Sequence, residues 1–233
     1  MNTLNTMQSG LKNIKNTPVV IPSALVDAIE YFPLTMNYNN YIIGSSRTFS
    51  PSISANVSFT NLSNKLCAYL TSNAYIISND ISIQLPISFC FWCYVPVYSG
   101  SLMQTLSIGT GDFQPNTACL QTDIVNDTNF SVYFGLPATW TGIGVGIANN
   151  NKWSHICYTI SSTSVIIYVD GVLKGSATGT TFNWKSLTSY KYVLGRSSDG
   201  SSRYLNGGGI RHFARFNRVL TSADVNSIMN ATV

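Results

Sequence analysis

Nine carboxylates, two histidines and five cysteines are the residues of this 233-residue chain with acid–base, nucleophilic or metal-binding chemistry. Glycoside hydrolysis takes two carboxyl groups flanking the scissile bond. The sequence offers one Glu, Glu30, and eight Asp, with no E-x-D-x-E run. Asp80, Asp112, Asp123, Asp127 and Asp199 fall in stretches read as loops or strand ends, where Asp is a common turn former. Asp170 belongs to a D-G turn. Nucleophilic hydrolysis needs a Ser or Cys activated by a neighbouring base. His155 follows Trp153 on a strand, His212 sits among arginines that disfavour its protonation, and there is no G-x-S-x-G. Cys90 and Cys93 form a C-x-x-C, but no second pair stands at zinc-ribbon spacing. The two lie inside the apolar run Ile87–Cys93 and read, like Cys67, Cys119 and Cys157, as small buried hydrophobes. Gly142, Gly144 and Gly146 lack the spacing of a phosphate loop and read as a glycine-rich loop or strand. No catalytic residue, metal site or cofactor is expected.

Binding chemistry is better supplied. Trp140, Trp184 and Tyr98 fall in loop-like stretches rich in Asn and Thr, the setting in which an aromatic ring serves as a platform for a sugar. These three are the candidate carbohydrate-binding residues. Arg196, Arg203, Arg211, Arg215 and Arg218 cluster near the end and read as a solvated rim or as a patch for an acidic partner. The net charge of +4 arises from few acids rather than many bases, so nucleic acid is not an expected partner.

These residues must be positioned by strands. Charged residues make up 9% of the chain, against about 25% in an average soluble domain. Ser, Thr and Asn fill roughly a third, a surface typical of β-rich extracellular, viral or sugar-facing proteins. No apolar run reaches the ~18–20 residues of a membrane helix, and no secretory signal is visible at the start. Reduced thiols are the corresponding expectation. From Ile29 onward, short alternating segments are broken by Gly, Asn and Ser. Ile87–Val97 places Ile87, Phe89, Phe91, Cys93 and Val95 on one face. Trp153–Ile160 and Ser164–Val169 form a hairpin, and Asp170-Gly171 turns the chain into Val172–Lys174. Thr221-Ser222-Ala223-Asp224 starts a short helix carrying Val225, Ile228 and Met229. Residues 1–28 show no periodicity and read as an extended arm, with one helical turn near Ser23–Ala28.

Four segments in this order resemble the laminin G-like domains of the concanavalin A-like lectin/glucanase superfamily. They are Ile29–Leu34, the aromatic strand Ser88–Val95, the Trp153–Thr159 and Val165–Gly171 hairpin, and Gly209–Thr221 with its helix. The resemblance implies an all-β jelly-roll sandwich over 29–233, with Trp92, Trp153, Asp170, Gly171 and Thr221 as fold-defining residues. Trp153 is expected to shield a sheet edge. Thr35, Arg211 and His212 stand where the family often carries acids, so a family-type calcium site is not implied. This fold hosts both enzymes and binding modules. The expected function is non-enzymatic: a structural or interaction protein of a large assembly, foremost a virion (minor capsid, fibre or surface component), contacting other protein subunits through its arm. The alternative is a lectin module that attaches to glycans, at an extracellular or cell-surface location.

Overall fold

The computed structural model describes residues 21–38, 41, 49–51, 56–97, 102–110, 118–126, 129–135, 140–146, 151–178, 189–198 and 203–233. Two antiparallel sheets stack face to face. The larger contains β1 (Glu30–Phe32), β3 (Val57–Leu62), β4 (Lys65–Leu70), β6 (Ile87–Val95), β11 (Lys152–Ile160), β12 (Ser164–Val169), β13 (Val172–Thr178) and β15 (Gly208–Phe216). Its order is β13-β12-β11-β6-β15-β4-β3, with β1 also paired to β15. The smaller contains β2 (Phe49–Pro51), β5 (Ile76–Ser78), β7 (Met103–Gly109), β8 (Ala118–Asn126), β9 (Asn129–Gly135), β10 (Trp140–Gly146) and β14 (Lys191–Leu194), in the order β10-β9-β8-β7-β14-β5-β2. One helix, α1 (Ser222–Ala231), follows β15. This is the expected all-β sandwich with a short C-terminal helix.

The alternation expected of β6 is realised. Phe89, Phe91 and Cys93 point into the layer between the sheets and meet Ile156, Tyr158, Ile210 and Phe213 from the flanking strands. The outward side of the same strands is apolar too. Cys90, Cys157, Ala214 and Phe216 form a second buried cluster with Leu25, Val225 and Ile228. A sheet face of this kind must be covered, and α1 covers it. The helix begins with a capping box, in which Thr221 Oγ1 accepts from the Asp224 amide and Asp224 Oδ2 accepts from the Thr221 amide. Arg218 donates to both Asp224 and Asp27 and ties the helix start to residues 21–28.

That contact involves the last residues of the expected arm. Residues 1–20 lie outside the described residues. Residues 21–28 pack on the sandwich, with a 3-10 turn at Ser23–Leu25 and Leu25 and Ala28 buried. The turn had been expected; its apolar side chains bind it to the helix rather than leaving it extended. Trp153 lies on β11, an interior strand between β6 and β12, and its ring lies over the sheet's outer face, reaching the Leu62 carbonyl of the edge strand β3. Asp170 and Gly171 do form the turn between β12 and β13, at φ +51° and +75°.

One polar cluster sits between the sheets. Arg215, opposite Phe89 on β15, points inward and lies 3.5 Å from Glu30 of β1. Tyr192 of β14, in the other sheet, donates to Glu30 Oε2 (2.6 Å) and accepts from Arg215 Nη1 (2.6 Å). All three are at least 97% buried. Removing one partner of a buried ion pair leaves an uncompensated charge. Glu30→Gln is therefore expected to cost about 3–5 kcal/mol in urea unfolding, and Glu30→Leu combined with Arg215→Met is expected to recover most of that loss.

Candidate functional site

Away from α1, the outer face of the larger sheet carries two cross-strand rows. In the first, Trp153 of β11 stands opposite Tyr94 of β6, which stands opposite Gly209 of β15. In the second, His155 stands opposite Trp92, which stands opposite Arg211. Side chains opposite each other on antiparallel strands interact directly. The Trp92 and His155 rings lie 5.3 Å apart, and those of Tyr94 and Trp153 5.7 Å apart. Gly209 is small for a reason: a Cβ there would come within 3.0 Å of Cys67 Sγ and the Trp153 ring. The two indole N–H groups are satisfied internally. Trp92 Nε1 donates to Thr232 Oγ1 (2.9 Å), and Trp153 Nε1 donates to the Leu62 carbonyl (2.9 Å). Both rings are thereby fixed in place.

Arg211 is aimed by a bulge. The register of β15 against β6 shifts between Arg211 and Ala214, and His212 takes φ +52°. Bulges re-aim side chains in this way. Arg211 Nη2 donates to His212 Nε2 (2.5 Å), which places the ring proton on Nδ1, where it meets the Tyr31 hydroxyl oxygen (2.5 Å). The second acceptor for Nη2 is the Thr232 carbonyl at 3.3 Å. Arg211 is 91% buried, and its Nε has no partner. Among the described residues no carboxylate pairs with it. Three other described arginines have one: Arg203 pairs with Asp123, Arg215 (whose Nε also lacks a partner) with Glu30, and Arg218 with Asp27 and Asp224. Arg196 lies over the rings of Tyr75 and Tyr204. The arginines that cluster in sequence thus do not share one patch, because alternation and the bulge send them to different faces.

A shallow cleft opens at Arg211, lined by Lys65, Trp92, Trp153, Thr232 and Val233. It combines two aromatic walls with two cations. The sequence read Trp92 and Trp153 only as fold-defining and gave no signal that the β15 bulge would bring Arg211 between them. Of the expected sugar platforms, Tyr98 and Trp184 lie outside the described residues. Trp140 opens β10, the edge strand of the smaller sheet, instead of sitting in a loop. Gly142–Gly146 continue that strand, and Gly208 and Gly209 belong to β15.

A second polar cluster occupies the outer side of the smaller sheet. Asp123, expected at a strand end, lies within β8 and is 98% buried. It accepts from Gln104 Nε2 and from Arg203 Nη1, the latter at 2.9 Å. Gln121 donates to Ser197, and the Ser107 and Ser198 hydroxyls meet at 2.5 Å. This network holds the segment after β14 against the sheet. Among the described residues no group of three His, Cys, Asp or Glu side chains is placed to hold a metal ion. Cys67, Cys90, Cys93 and Cys157 are all buried.

Both histidines are held neutral. Burial lowers His155 to about 4. Burial, with help from Arg211, His155 and Lys65, lowers His212 to about 3. In the unfolded chain both groups titrate near 6.5. Their stabilising contribution is therefore complete above pH ~6.5 and declines as pH falls toward 4 and then 3, by up to about 1.4 kcal/mol per pH unit per histidine. Urea unfolding from pH 7 to 4 should show this loss, and His155→Leu should reduce its slope.

Comparison with known proteins places the chain in a family. A family model described as concanavalin A-like lectin/glucanases superfamily matches residues 70–226. No curated protein matches the sequence. Among solved structures, the receptor binding domain of botulinum neurotoxin D superposes with a TM-score of 0.66 at 17% identity, over 89% of this chain and 53% of that one. The botulinum neurotoxin type G receptor binding domain gives 0.63 at 16% identity, over 88% and 51%. The botulinum neurotoxin serotype D ligand binding domain in complex with N-acetylneuraminic acid gives 0.63 at 17% identity, over 89% and 52%. The chain spans about half the length of these structures, and at such identities the likeness is one of fold. With four ordered sequence segments, the sandwich and the family model in agreement, the chain belongs to the concanavalin A-like lectin/glucanases superfamily.

Proposed function

We propose that this chain is a non-catalytic glycan-binding module that takes an acidic sugar at the outer face of its larger sheet. The observation that carries this reading is Arg211: a guanidinium 91% buried, with no carboxylate partner among the described residues and an unused Nε donor, at a cleft walled by Trp92 and Trp153. Burying a charge without a counter-charge is unfavourable, and an anionic ligand would supply one. A guanidinium matches a carboxylate in shape and donors. Aromatic faces suit the apolar side of a sugar ring, and Lys65 adds a second positive charge. The cleft has room for little more than a water molecule and cannot enclose a sugar. That suits a saccharide lying on the surface with one group inserted.

The acids support the same reading. Glu30, Asp123, Asp27 and Asp224 are engaged by arginines, and Asp170 accepts from the His155 amide (2.8 Å). Asp27 and Asp224, which flank one guanidinium, are both neutralised by Arg218, so neither is placed as the free acid–base pair that glycoside hydrolysis requires. A solved relative in fold was crystallised with N-acetylneuraminic acid, itself a carboxylate sugar. As the setting for such a module we propose a virion surface, on the strength of the charge-poor, amide-rich composition. An extracellular or cell-surface location is the alternative.

Calorimetric titration with sialyllactose and with neutral lactose tests the reading. Sialyllactose should bind at least tenfold more tightly, and the advantage should shrink as salt is raised. Arg211→Gln should abolish the difference, and the milder Lys65→Gln should reduce it several-fold. Equal binding of the two sugars, or no binding of either, would contradict the proposal.

A further inference from the structure

We infer that Cys90 and Cys157 form a cross-strand disulfide that clamps β6 to β11 beneath α1. The two residues are direct partners in the antiparallel register of β6 and β11. Directly opposed residues on such strands have Cα atoms about 4.5–5.5 Å apart, inside the ~4.4–6.8 Å range a disulfide needs. Both side chains point to the same outer face, and the two sulfurs meet at 2.7 Å. Register, facing and contact therefore meet the geometric conditions before any backbone shift. No other pair of described cysteines shows a sulfur–sulfur contact. Cys93 sits in the core between the sheets, and Cys67 lies against Gly209 on β15.

The oxidant is a small disulfide such as glutathione disulfide. One cysteine thiolate attacks it and releases one glutathione thiolate. The second protein thiolate then attacks the mixed disulfide and releases the other. The protein pair is oxidised by two electrons, and one glutathione disulfide becomes two thiols. Both residues are fully buried by Leu25, Val225 and Ile228 in the folded chain. Burial also holds the Cys90 thiol well above its ordinary value, so little thiolate is present there. Exchange thus belongs to folding, before α1 docks, or to openings that lift the helix. In a reducing compartment the pair stays as thiols, which makes the bond a record of where the chain folded.

The test is to refold the full chain in a glutathione redox buffer, then denature it without reductant in an alkylating agent. Three of the five thiols should be alkylated. Before alkylation the intact mass should be about 2 Da below that of the reduced chain, for the two hydrogens lost. Peptide mapping should join Cys90 to Cys157. The oxidised chain should melt about 5–10 °C above the reduced one. Cys157→Ser refolded alongside should show four reactive thiols and no cross-link. Five reactive thiols in the wild type, a bond that includes Cys67, Cys93 or Cys119, or an oxidised chain that melts below the reduced one would each overturn the inference. None of these outcomes depends on whether the chain binds glycans.

Discussion

A guanidinium withdrawn from water needs a counter-charge, and this chain has few to give. The pairing of Arg215 with Glu30 uses the chain's one glutamate inside the sandwich. Tyr192 joins the pair from the opposite sheet, so the same three groups also set how the sheets face each other. Elsewhere Asp123 meets Arg203, and Asp27 and Asp224 share Arg218. These four acids are thus each engaged by an arginine. What remains is Arg211, buried and paired only with a neutral imidazole and a backbone carbonyl.

The second organising constraint is that the larger sheet is apolar on both faces. One face meets the smaller sheet. The other is divided. Helix α1 and residues 21–28 cover the half around Cys90, Cys157 and Phe216. The half around Trp92, Tyr94 and Trp153 is closed by its own aromatic rings, which are held by Thr232, Leu62 and the narrow space left by Gly209. The same surface that keeps water from the sheet thereby presents rigid rings around a cation. In the proposed binding role stability and recognition share these residues, and the neutral histidines on either side of Trp92 couple both to acid.

Much of this architecture was legible in the sequence. The alternation of Phe89, Phe91 and Cys93, the Asp170-Gly171 turn and the Thr221–Asp224 cap are local signals, and the structure realises each. Contacts between distant segments were not legible. The strand β3, with exposed Ser58 and Asn61 among its apolar residues, carries a weak periodicity and was missed. Asp123 resembles a turn residue until Arg203, 80 positions later, is brought against it. Arg211 and Arg215 lie four residues apart, yet one faces outward and the other into the core. A one-residue bulge at a left-handed His212 decides that, and nothing in the local composition announces it. The expected platforms Tyr98 and Trp184 lie outside the described residues, and the rings beside Arg211 lie on central strands.

The most direct measurement of the central claim is an NMR titration of the full chain with sialyllactose, following the arginine Nε–H and tryptophan indole signals. The account predicts that the Arg211 Nε–H and the Trp92 and Trp153 indoles shift together and saturate together, while Arg203 and Arg215 stay still. A saturating shift centred on Arg203 and the Asp123 network, with Arg211 unmoved, would contradict it.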